Sequence, residues 1–535
     1  MDRRRFLIGL SSLALAGCEA GSWLEVPTRV YQPGMATGHA LRDLKQLPEP
    51  QAVWCTDTLI LGSGAAGLSA GWQLRRQGYR NFLLLSGPEW YGNGASGQMG
   101  EVPYPRGAHY LPLPSLASSH VREMLAEMGV LRGDPQALRP EYDEQVLVQA
   151  PDERVFANGV WQEGQLPQRG RSADSLAQQQ RFLAQVARLK RQVGRDGRPV
   201  FSVPLALSSQ DPQWLALDRL SFAAWLDQQQ LTDPVLRRWL DYSCRDDYGA
   251  PCDEVSAWAG LHYFAARGGH AANGEDGAVL TWPDGLNPVL RHLQRALEQD
   301  GQQRLHQGTA LHIRLEQGKP VVLCRMDAKV VRIEAQQLIC AMPLHVLQHV
   351  LPTLPEYGYQ RQQALPHAAW LVSSFGLNRF PEEARGVELA WDNILHEGPG
   401  LGYVVATHQW LRTAKPQHTV FTAYQALSRQ GPGDARRWLL QANREVLYDM
   451  AMCDLRQVYG RMDWWRAARE VEITVRAHGM STPRPGFLTH PGLRALRDHT
   501  GPILFAHSDL SGLSLFEEAS WWGVQAANRV LGNAA

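Results

Sequence analysis

The sequence lacks an excess of charge of either sign. Its 535 residues contain 53 Lys plus Arg and 53 Asp plus Glu. A net charge of zero offers no electrostatic attraction for nucleic acid. Beyond the N-terminus it also lacks the run of about 18 apolar residues that a membrane-spanning helix needs, and it has no internal repeat. We therefore expect a globular protein without a nucleic-acid partner, long enough for two closely joined domains.

Patterns typical of metal sites are missing as well. Neither Cys-x-x-Cys nor His-x-His occurs in the chain, so the sequence predicts no metal. Among the cysteines, Cys244 and Cys252 are near enough in sequence to pair in an oxidising compartment. Free thiols are favoured there if the fold forms in the reducing cytoplasm.

A glycine-rich turn between a strand and a helix is the strongest motif present. Residues 59–61 are an apolar run typical of a buried parallel strand. Gly62, Gly64 and Gly67 follow as Gly-x-Gly-x-x-Gly: the first permits a tight turn, the second admits a pyrophosphate, and the third lets helix pack on strand. With a second strand at residues 82–85, the pattern predicts a nucleotide-binding βαβ unit.

The carboxylate that usually follows the second strand of such a unit is absent. It would bind a ribose hydroxyl, but this position is Ser86, with Glu89 three residues later. A serine hydroxyl bonds a ribose without charge and so more weakly than a carboxylate does. Glu89 could reach back to the ribose or stand in solvent as a loop residue. We therefore expect a nucleotide site with a weakened ribose contact.

The N-terminus has the features of an export signal. Residues 3–7, Arg-Arg-Arg-Phe-Leu, resemble the twin-arginine motif, and residues 6–16 form an apolar core too short to span a bilayer. Residues 15–18 resemble a lipobox, in which Cys18 would be lipidated. We expect the twin-arginine machinery to export the folded protein to the periplasmic face of a bacterial membrane. Residues 1–18 would be the signal and residues 19–52 a tether to the lipid anchor.

The rest of the sequence indicates whether the expected cofactor is a nicotinamide or a flavin. A simple dehydrogenase would continue in regular βα units, whereas here a glycine-rich loop at residues 91–114 leads into long helical stretches. Sheet-like sequence returns only at residues 309–344 and 501–531. These pieces, in this order, resemble the flavin-containing amine oxidase and phytoene desaturase superfamily. The resemblance implies an α/β fold, with a Rossmann-like FAD-binding domain of the glutathione-reductase type and an interleaved α+β substrate domain.

The resemblance also implies domain bounds and cofactor contacts. The FAD-binding domain would comprise residues 53–110, 281–345 and 495–535, and the substrate domain residues 111–280 and 346–494. FAD would be bound non-covalently, because no cysteine lies near the last motif. The matching positions are Gly62, Gly64, Ala65, Ala66, Gly67, Ser86, Gly92, Gly94, Ala310, Asp509 and Gly523. Asn93 interrupts a glycine pair of the family, and Asp509 lies one residue late.

Two departures from the family concern the substrate. Members usually place a lysine near the flavin N5, and the comparable position here is Trp370; a tyrosine of their aromatic cage is replaced by Leu515. The resemblance implies an FAD-dependent oxidoreductase that takes a hydride from a small-molecule substrate, with an amine or polyamine as a candidate, and passes electrons to oxygen or a quinone. The alternatives are a carotenoid-type desaturase or isomerase and a non-catalytic flavin-binding scaffold of the envelope.

Polar clusters in the inserted segments supply the candidates for catalysis. His109 follows the flavin loop, and Tyr403 and His408 lie in a second cluster; both histidines are candidate bases on residue type. Arg245, beside Asp246 and Asp247, either binds a charged group of the substrate or forms a structural ion pair. We predict a substrate cavity that these residues line.

Overall fold

The computed structural model describes residues 26–410, 414 and 416–534, so the predicted signal with Cys18 lies outside it. The strands are β1 (Thr28–Tyr31), β2 (Ala52–Leu61), β3 (Phe82–Leu85), β4 (Ser96–Met99), β5 (Val102–Pro105), β6 (Tyr110–Pro112), β7 (Leu131–Arg132), β8 (Glu141–Tyr142), β9 (Glu153–Ala157), β10 (Val160–Glu163), β11 (Val279–Thr281), β12 (Leu305–His306), β13 (Thr309–Glu316), β14 (Lys319–Met326), β15 (Lys329–Cys340), β16 (His367–Leu377), β17 (Asp392–Leu395), β18 (Tyr403–Val405), β19 (Thr419–Ala426), β20 (Ala468–Ser481) and β21 (Ile503–Phe505).

The helices occupy the stretches between these strands. They are α1 (Met35–Arg42), α2 (Ala65–Arg76), α3 (Ser119–Glu127), α4 (Ala173–Leu189), α5 (Pro212–Leu215), α6 (Phe222–Gln228), α7 (Pro234–Tyr248), α8 (Ala257–Ala265), α9 (Asn287–Glu298), α10 (Leu344–Val350), α11 (Pro432–Gln441), α12 (Arg444–Ala451), α13 (Cys453–Tyr459), α14 (Arg461–Ala467), α15 (Pro491–Asp498) and α16 (Phe516–Ala534).

A seven-stranded sheet contains the predicted βαβ unit. Its order is β12–β3–β2–β15–β14–β13, with β21 paired to β15. The central strands are parallel, and Leu59 lies between Leu83 of β3 and Leu338 of β15. Residues 59–61 are fully buried, because helices cover the faces of a parallel sheet and its strands need apolar side chains on both sides. The predicted α/β fold is confirmed.

A second, eight-stranded sheet belongs to the inserted part of the chain. Its order is β1–β20–β16–β19–β18–β17–β9–β10, and every residue of its central strand β16 is buried. Helices α11, α12 and α14 pack on this sheet, while α4, α6, α7 and α8 pack against one another as a helical layer. The sheet and the helical layer together form an α+β region beside the seven-stranded sheet.

The chain N-terminal to β2 differs from the predicted tether. Strand β1 joins the edge of the eight-stranded sheet, with Thr28 opposite Val471 of β20, and Arg29 forms an ion pair with the buried carboxylate of Glu472. Helix α1 packs against α10. Residues 28–42 are therefore part of the fold, because edge pairing and this ion pair hold them on it.

Within the described residues, no helix combines the length and the apolar character that crossing a membrane would require.

Candidate functional site

The glycine turn has the geometry that its motif predicts. Gly62 has a φ of 116°, and a Cβ there would lie 2.5 Å from the Ala341 carbonyl oxygen. A Cβ on Gly67 would lie 1.8 Å from the Gly62 carbonyl oxygen, so the fold itself requires both glycines. A Cβ on Gly64 would meet no atom within 4 Å. Gly64 thus leaves open space at the start of α2, where the positive helix end can receive a pyrophosphate.

The last helix packs closely on the helix that follows this turn. A Cβ on Gly523 of α16 would lie 2.1 Å from the carbonyl oxygen of Ala66 in α2. Two turns further along α2, Gln73 donates a hydrogen bond of 2.8 Å to Asn528. Ala65 and Ala66 open α2 directly behind Gly64. Small residues at this crossing bring α16 against the nucleotide turn, and their contact with the cofactor stays a prediction.

The ribose position contains Ser86, as the sequence indicated. Its hydroxyl donates 2.8 Å to the Gly87 carbonyl, which leaves the oxygen lone pairs for a neutral contact. Glu89 does not reach back to this position: its carboxylate pairs with Arg476, and both side chains are nearly buried at 12% and 9% exposure. A ribose hydroxyl would therefore meet Ser86 without a carboxylate from Glu89.

The glycine-rich flavin loop lies directly beside the nucleotide turn. Gly92 has a φ of 54°, and a Cβ there would be 3.8 Å from the Gly64 Cα. Strand β20 holds the loop in place, since Arg476 donates to the Gly92 carbonyl at 3.2 Å and Asn93 donates to the Gly479 carbonyl at 2.7 Å. A Cβ on Gly94 would lie 2.3 Å from a methyl of Leu290. The loop is thereby fixed between the two sheets.

Asp509 is a buried centre of hydrogen bonds. Its Oδ2 accepts from the Leu344 amide at 2.9 Å, and its Oδ1 accepts from the Ser481 hydroxyl at 2.7 Å. His367 Nε2 lies 3.0 Å from the same Oδ1. Both carboxylate oxygens are thus engaged by protein groups. The other predicted contact of this set, Ala310, is buried in β13 opposite Cys324.

His109 stands in an aromatic enclosure. Its ring lies 4.3 Å from that of Tyr424, 5.0 Å from that of Tyr110 and 5.7 Å from that of Trp391, between centroids. Burial lowers the pKa of His109 to about 3, so the imidazole is neutral near pH 7. A cavity of about 10 Å³ adjoins it, lined in part by Trp391.

A larger cavity of about 30 Å³ lies next to Arg267. The guanidinium of Arg267 donates to Asp247 and to the Tyr110 hydroxyl, each at 3.0 Å, and lies 4.2 Å from the centre of the Tyr263 ring. Asp247, Tyr263, Arg267 and Glu517 all line this cavity. Tyr110 contacts His109 at the smaller cavity and Arg267 at the larger one.

Around Arg267, acidic side chains outnumber basic ones. Asp392 of β17 lies directly opposite Glu153 of β9 in parallel register, and burial raises the pKa of both. Burial likewise raises the pKa of Asp246 and that of Glu517, each to about 7. An uncompensated carboxylate in low dielectric holds its proton more tightly. These acids therefore form a site short of positive charge.

The predicted pairing of Arg245 with Asp246 or Asp247 is wrong. Arg245 Nε donates 3.1 Å to Asp241, one helical turn earlier in α7, and its Nη1 lies 3.5 Å from the Pro399 carbonyl oxygen. Residues four apart share a helix face, whereas adjacent residues do not. The arginine that pairs with Asp247 is Arg267.

The structure also places Tyr403 and His408 away from these carboxylates. Tyr403 is fully buried, stacks on Phe421 and bonds to Arg154. Its neighbours Val404 and Val405 line the cavity beside His109, whereas Tyr403 is not among the lining residues. His408 bonds through Nε2 to the Gln149 carbonyl oxygen at 2.8 Å. Of the predicted catalytic residues, His109 is the one at the cavity.

Sequence reasoning missed Arg267, Glu153 and Glu517. Arg267 ends the same polar stretch that contains Asp246, but nothing in its spacing ties it to Asp247 rather than to solvent. The pairing of Glu153 with Asp392 depends on a strand contact between residues more than 200 positions apart. The sequence feature that could have revealed this acidic site is the pair of consecutive acids, Asp246 and Asp247, before a turn.

Comparisons with known proteins agree with this arrangement. Residues 65–531 match the model of the flavin-containing amine oxidoreductase family. A double variant of putrescine oxidase superposes with a TM-score of 0.65 at 16% identity, covering 90% of this chain and 100% of that one. Cyclohexylamine oxidase from Brevibacterium oxydans gives 0.60 at 19% identity, with 90% and 99% coverage. Among proteins with curated descriptions, none matches the sequence significantly.

A fatty acid isomerase from P. acnes shares the fold too, with a TM-score of 0.59 at 16% identity and coverage of 89% and 98%. The family match spans most of the chain, and the open space at Gly64 suits the pyrophosphate of a dinucleotide. An oxidoreductase of this kind takes electrons from a small-molecule substrate and passes them to an acceptor such as oxygen. The chain therefore belongs to the flavin-containing amine oxidoreductase family, and FAD is its cofactor.

Proposed function

We propose that this enzyme oxidises an amine that carries more than one positive charge, such as a diamine or polyamine. The observation that carries the proposal is the surplus of carboxylates around Arg267: Asp246, Asp392, Glu153 and Glu517 have raised pKa values from burial and no arginine bonded to them in the described residues. A bound ammonium group would compensate this charge and regain what burial costs. The name of putrescine oxidase, which refers to a diamine, supports this substrate class, while that of cyclohexylamine oxidase supports an amine in general.

The aromatic residues would hold the body of such a substrate. Tyr110, Trp391 and Tyr424 surround His109, and aromatic faces attract ammonium groups while covering methylene chains. His109 stays neutral, so its ring adds no repulsion to a cation. The glycine turn and the loop around Gly92 would hold FAD, which when bound accepts a hydride from a C–H bond beside nitrogen.

The reacting nitrogen must lose a proton before its C–H bond can give up a hydride. His109 is a weak base for this step, because its pKa of about 3 is far from the working pH. Asp246 and Glu517, with pKa values of about 7, are better matched. In this proposal one of their carboxylate oxygens accepts the ammonium proton, while Asp392 and Glu153 bind the distant ammonium group.

An apolar substrate fits the cavity less well. A polyene or fatty acid, as in the P. acnes isomerase, would remove water from the acids without offering them a cation, and that burial is unfavourable. The same acids count against a scaffold without turnover, since uncompensated charge costs stability.

Anaerobic bleaching of the flavin tests the proposal. The FAD-loaded enzyme is mixed with putrescine, longer polyamines, monoamines, amino acids and polyenes, and the absorbance near 450 nm is followed. We expect bleaching by diamines or polyamines at lower concentration than by monoamines. Asp392→Asn and Glu153→Gln should raise the concentration needed by about tenfold or more, the cost of roughly one charged hydrogen bond. Glu163→Gln, exposed on neighbouring β10, is the matched control. Bleaching by polyenes alone would contradict the proposal.

We also propose that the enzyme works at the periplasmic face of a bacterial membrane, tethered through Cys18, with oxygen or a membrane quinone as electron acceptor. The twin-arginine pattern at residues 3–7 and the lipobox at residues 15–18 support this location. Changing Arg3 and Arg4 to lysine should leave the protein in the cytoplasm, as measured by cell fractionation. Unchanged export of the double variant would contradict the twin-arginine route. Cys18→Ala should release the exported protein in soluble form.

A further inference from the structure

A cluster of histidines lies at the carboxyl ends of β15 and β21, outside the two cavities described above. His345 opens α10 after β15, His367 begins β16, and Asp509 follows β21. Three distant segments of the chain thus bring two imidazoles and one carboxylate together. We propose that His345, His367 and Asp509 bind one divalent transition-metal ion, with zinc as the best-suited ion.

The ligand atoms are already near one another. One nitrogen of each imidazole and one oxygen of Asp509 all lie within 4.8 Å of each other, and His367 Nε2 is 3.0 Å from Asp509 Oδ1. His345 Nδ1 is buried and makes no hydrogen bond to any described residue. A buried polar atom without a partner is costly, and a metal ion would give this nitrogen its partner.

Neighbouring groups orient the ligands as they do in zinc sites. His367 Nδ1 lies 3.2 Å from the Leu365 carbonyl oxygen, a contact in which Nδ1 donates its proton, so Nε2 is the nitrogen that faces Asp509 and would bind the metal. The Leu344 amide and the Ser481 hydroxyl hold the Asp509 carboxylate from two sides. Such outer contacts fix ligand orientation before an ion arrives. If the cluster were only a hydrogen bond between His367 and Asp509, it would not explain why a buried nitrogen of His345 has no hydrogen-bond partner among the described residues.

The cluster is reachable from solvent and chemically suited to zinc. His478 stacks on His345 at 4.3 Å between centroids and is itself exposed, so the cluster lies close to the protein surface. Two imidazoles and a carboxylate form a common zinc set with one open position. Zinc ligands at about 2.0–2.2 Å from the ion stand roughly 3.4 Å apart, so ligand atoms that lie up to 4.8 Å apart would draw together around the ion.

The site adjoins the cofactor region without including the glycine turn. Ala341, at the end of β15, touches Gly62, and His345 follows four residues later. The contact of Asp509 with FAD stays a prediction, and its two oxygens already bond to the Leu344 amide, the Ser481 hydroxyl and His367. The proposal therefore requires the metal and FAD to be bound at the same time.

Metal titration of the FAD-loaded protein tests the site. Tag-free protein is freed of metal with a chelator and titrated with Zn²⁺ by calorimetry, and with Co²⁺ by its visible absorption beyond the flavin band. We expect one equivalent to bind with micromolar or tighter affinity. His345→Gln should weaken binding at least about 100-fold, and Asp509→Asn should do the same. His349→Gln, one turn further along α10 and outside the cluster, should bind like the wild type.

Three results would overturn the proposal. The first is wild-type protein that binds no metal at micromolar concentrations. The second is a His345→Gln variant whose metal affinity equals that of the wild type. Metal binding that requires prior removal of FAD would also overturn it, because these side chains would then be contacts of the cofactor. Because His345 Nδ1 has no partner to lose, its glutamine variant should fold, and circular dichroism checks this.

Discussion

Replacing Glu517 with glutamine should stabilise the substrate-free protein, and progressively more as the pH rises. Glu517 is only 6% exposed and lines the cavity beside Arg267. Burial raises its pKa from 4.5 to about 7. Because the pKa is raised in the folded state, the carboxyl contributes most to stability when protonated, and this contribution is lost as the pH rises through 7. Glutamine mimics the protonated form at every pH.

The size of the effect follows from the two pKa values. The difference between a pKa of 4.5 in the unfolded chain and about 7 in the folded protein corresponds to roughly 3 kcal/mol at most. The Glu517→Gln variant should therefore exceed wild type in free energy of unfolding by about 1 kcal/mol near pH 5 and by about 3 kcal/mol near pH 8.5. The negative charge of Glu517 lies in the first turn of α16, and attraction to the helix end reduces these values somewhat.

Equilibrium unfolding in guanidinium, followed by circular dichroism at several pH values, measures this difference. The informative quantity is its change with pH, because the glutamine side chain itself adds a constant offset. Glu163→Gln, exposed on β10, should show no such change. A Glu517→Gln difference that stays constant between about pH 5 and 8.5 would refute the view that this acid is buried without compensation.

Three further predictions concern the cofactor and the arginines. Gly67→Ala should yield protein without flavin colour, because its Cβ would lie 1.8 Å from the carbonyl oxygen of Gly62; a yellow, folded variant would contradict this. Ser86→Glu should tighten FAD binding about 5- to 10-fold by restoring a charged ribose contact, measured by titrating the apoprotein, and an unchanged affinity would count against that contact. Arg267→Gln should cost about 3–5 kcal/mol in urea unfolding, since it strands the buried Asp247, whereas Arg245→Gln should cost about 1 kcal/mol or less; equal costs would contradict the assigned ion pairs.

The parts of the fold that sequence predicted correctly depend on local spacing. The glycine turn, the buried run at residues 59–61 and the following strand need only neighbouring residues to be recognised, and all are present. The tether was mistaken because β1 is held by β20, more than 400 residues away. Short segments of mixed polarity gain their structure from such partners rather than from intrinsic preference.

The candidate site was predicted only in part, for a related reason. His109 was selected from its place after the flavin loop. Arg245 was selected because it stands beside Asp246 and Asp247 in the sequence, but adjacent residues point to different faces of a helix. Tyr403 was selected for its residue type, although its strand register turns it into the core. The His345 cluster joins three segments without any short spacing to reveal it.

The most direct test of the central claim, that the carboxylates bind a multiply charged amine, is a structure of the FAD-loaded enzyme with a bound diamine. We expect one nitrogen of the diamine within about 3 Å of a carboxylate oxygen of Asp392 or Glu153. The other nitrogen should lie beside the flavin, near Asp246 or Glu517. A diamine found elsewhere, with these four carboxylates bound only to water, would contradict it.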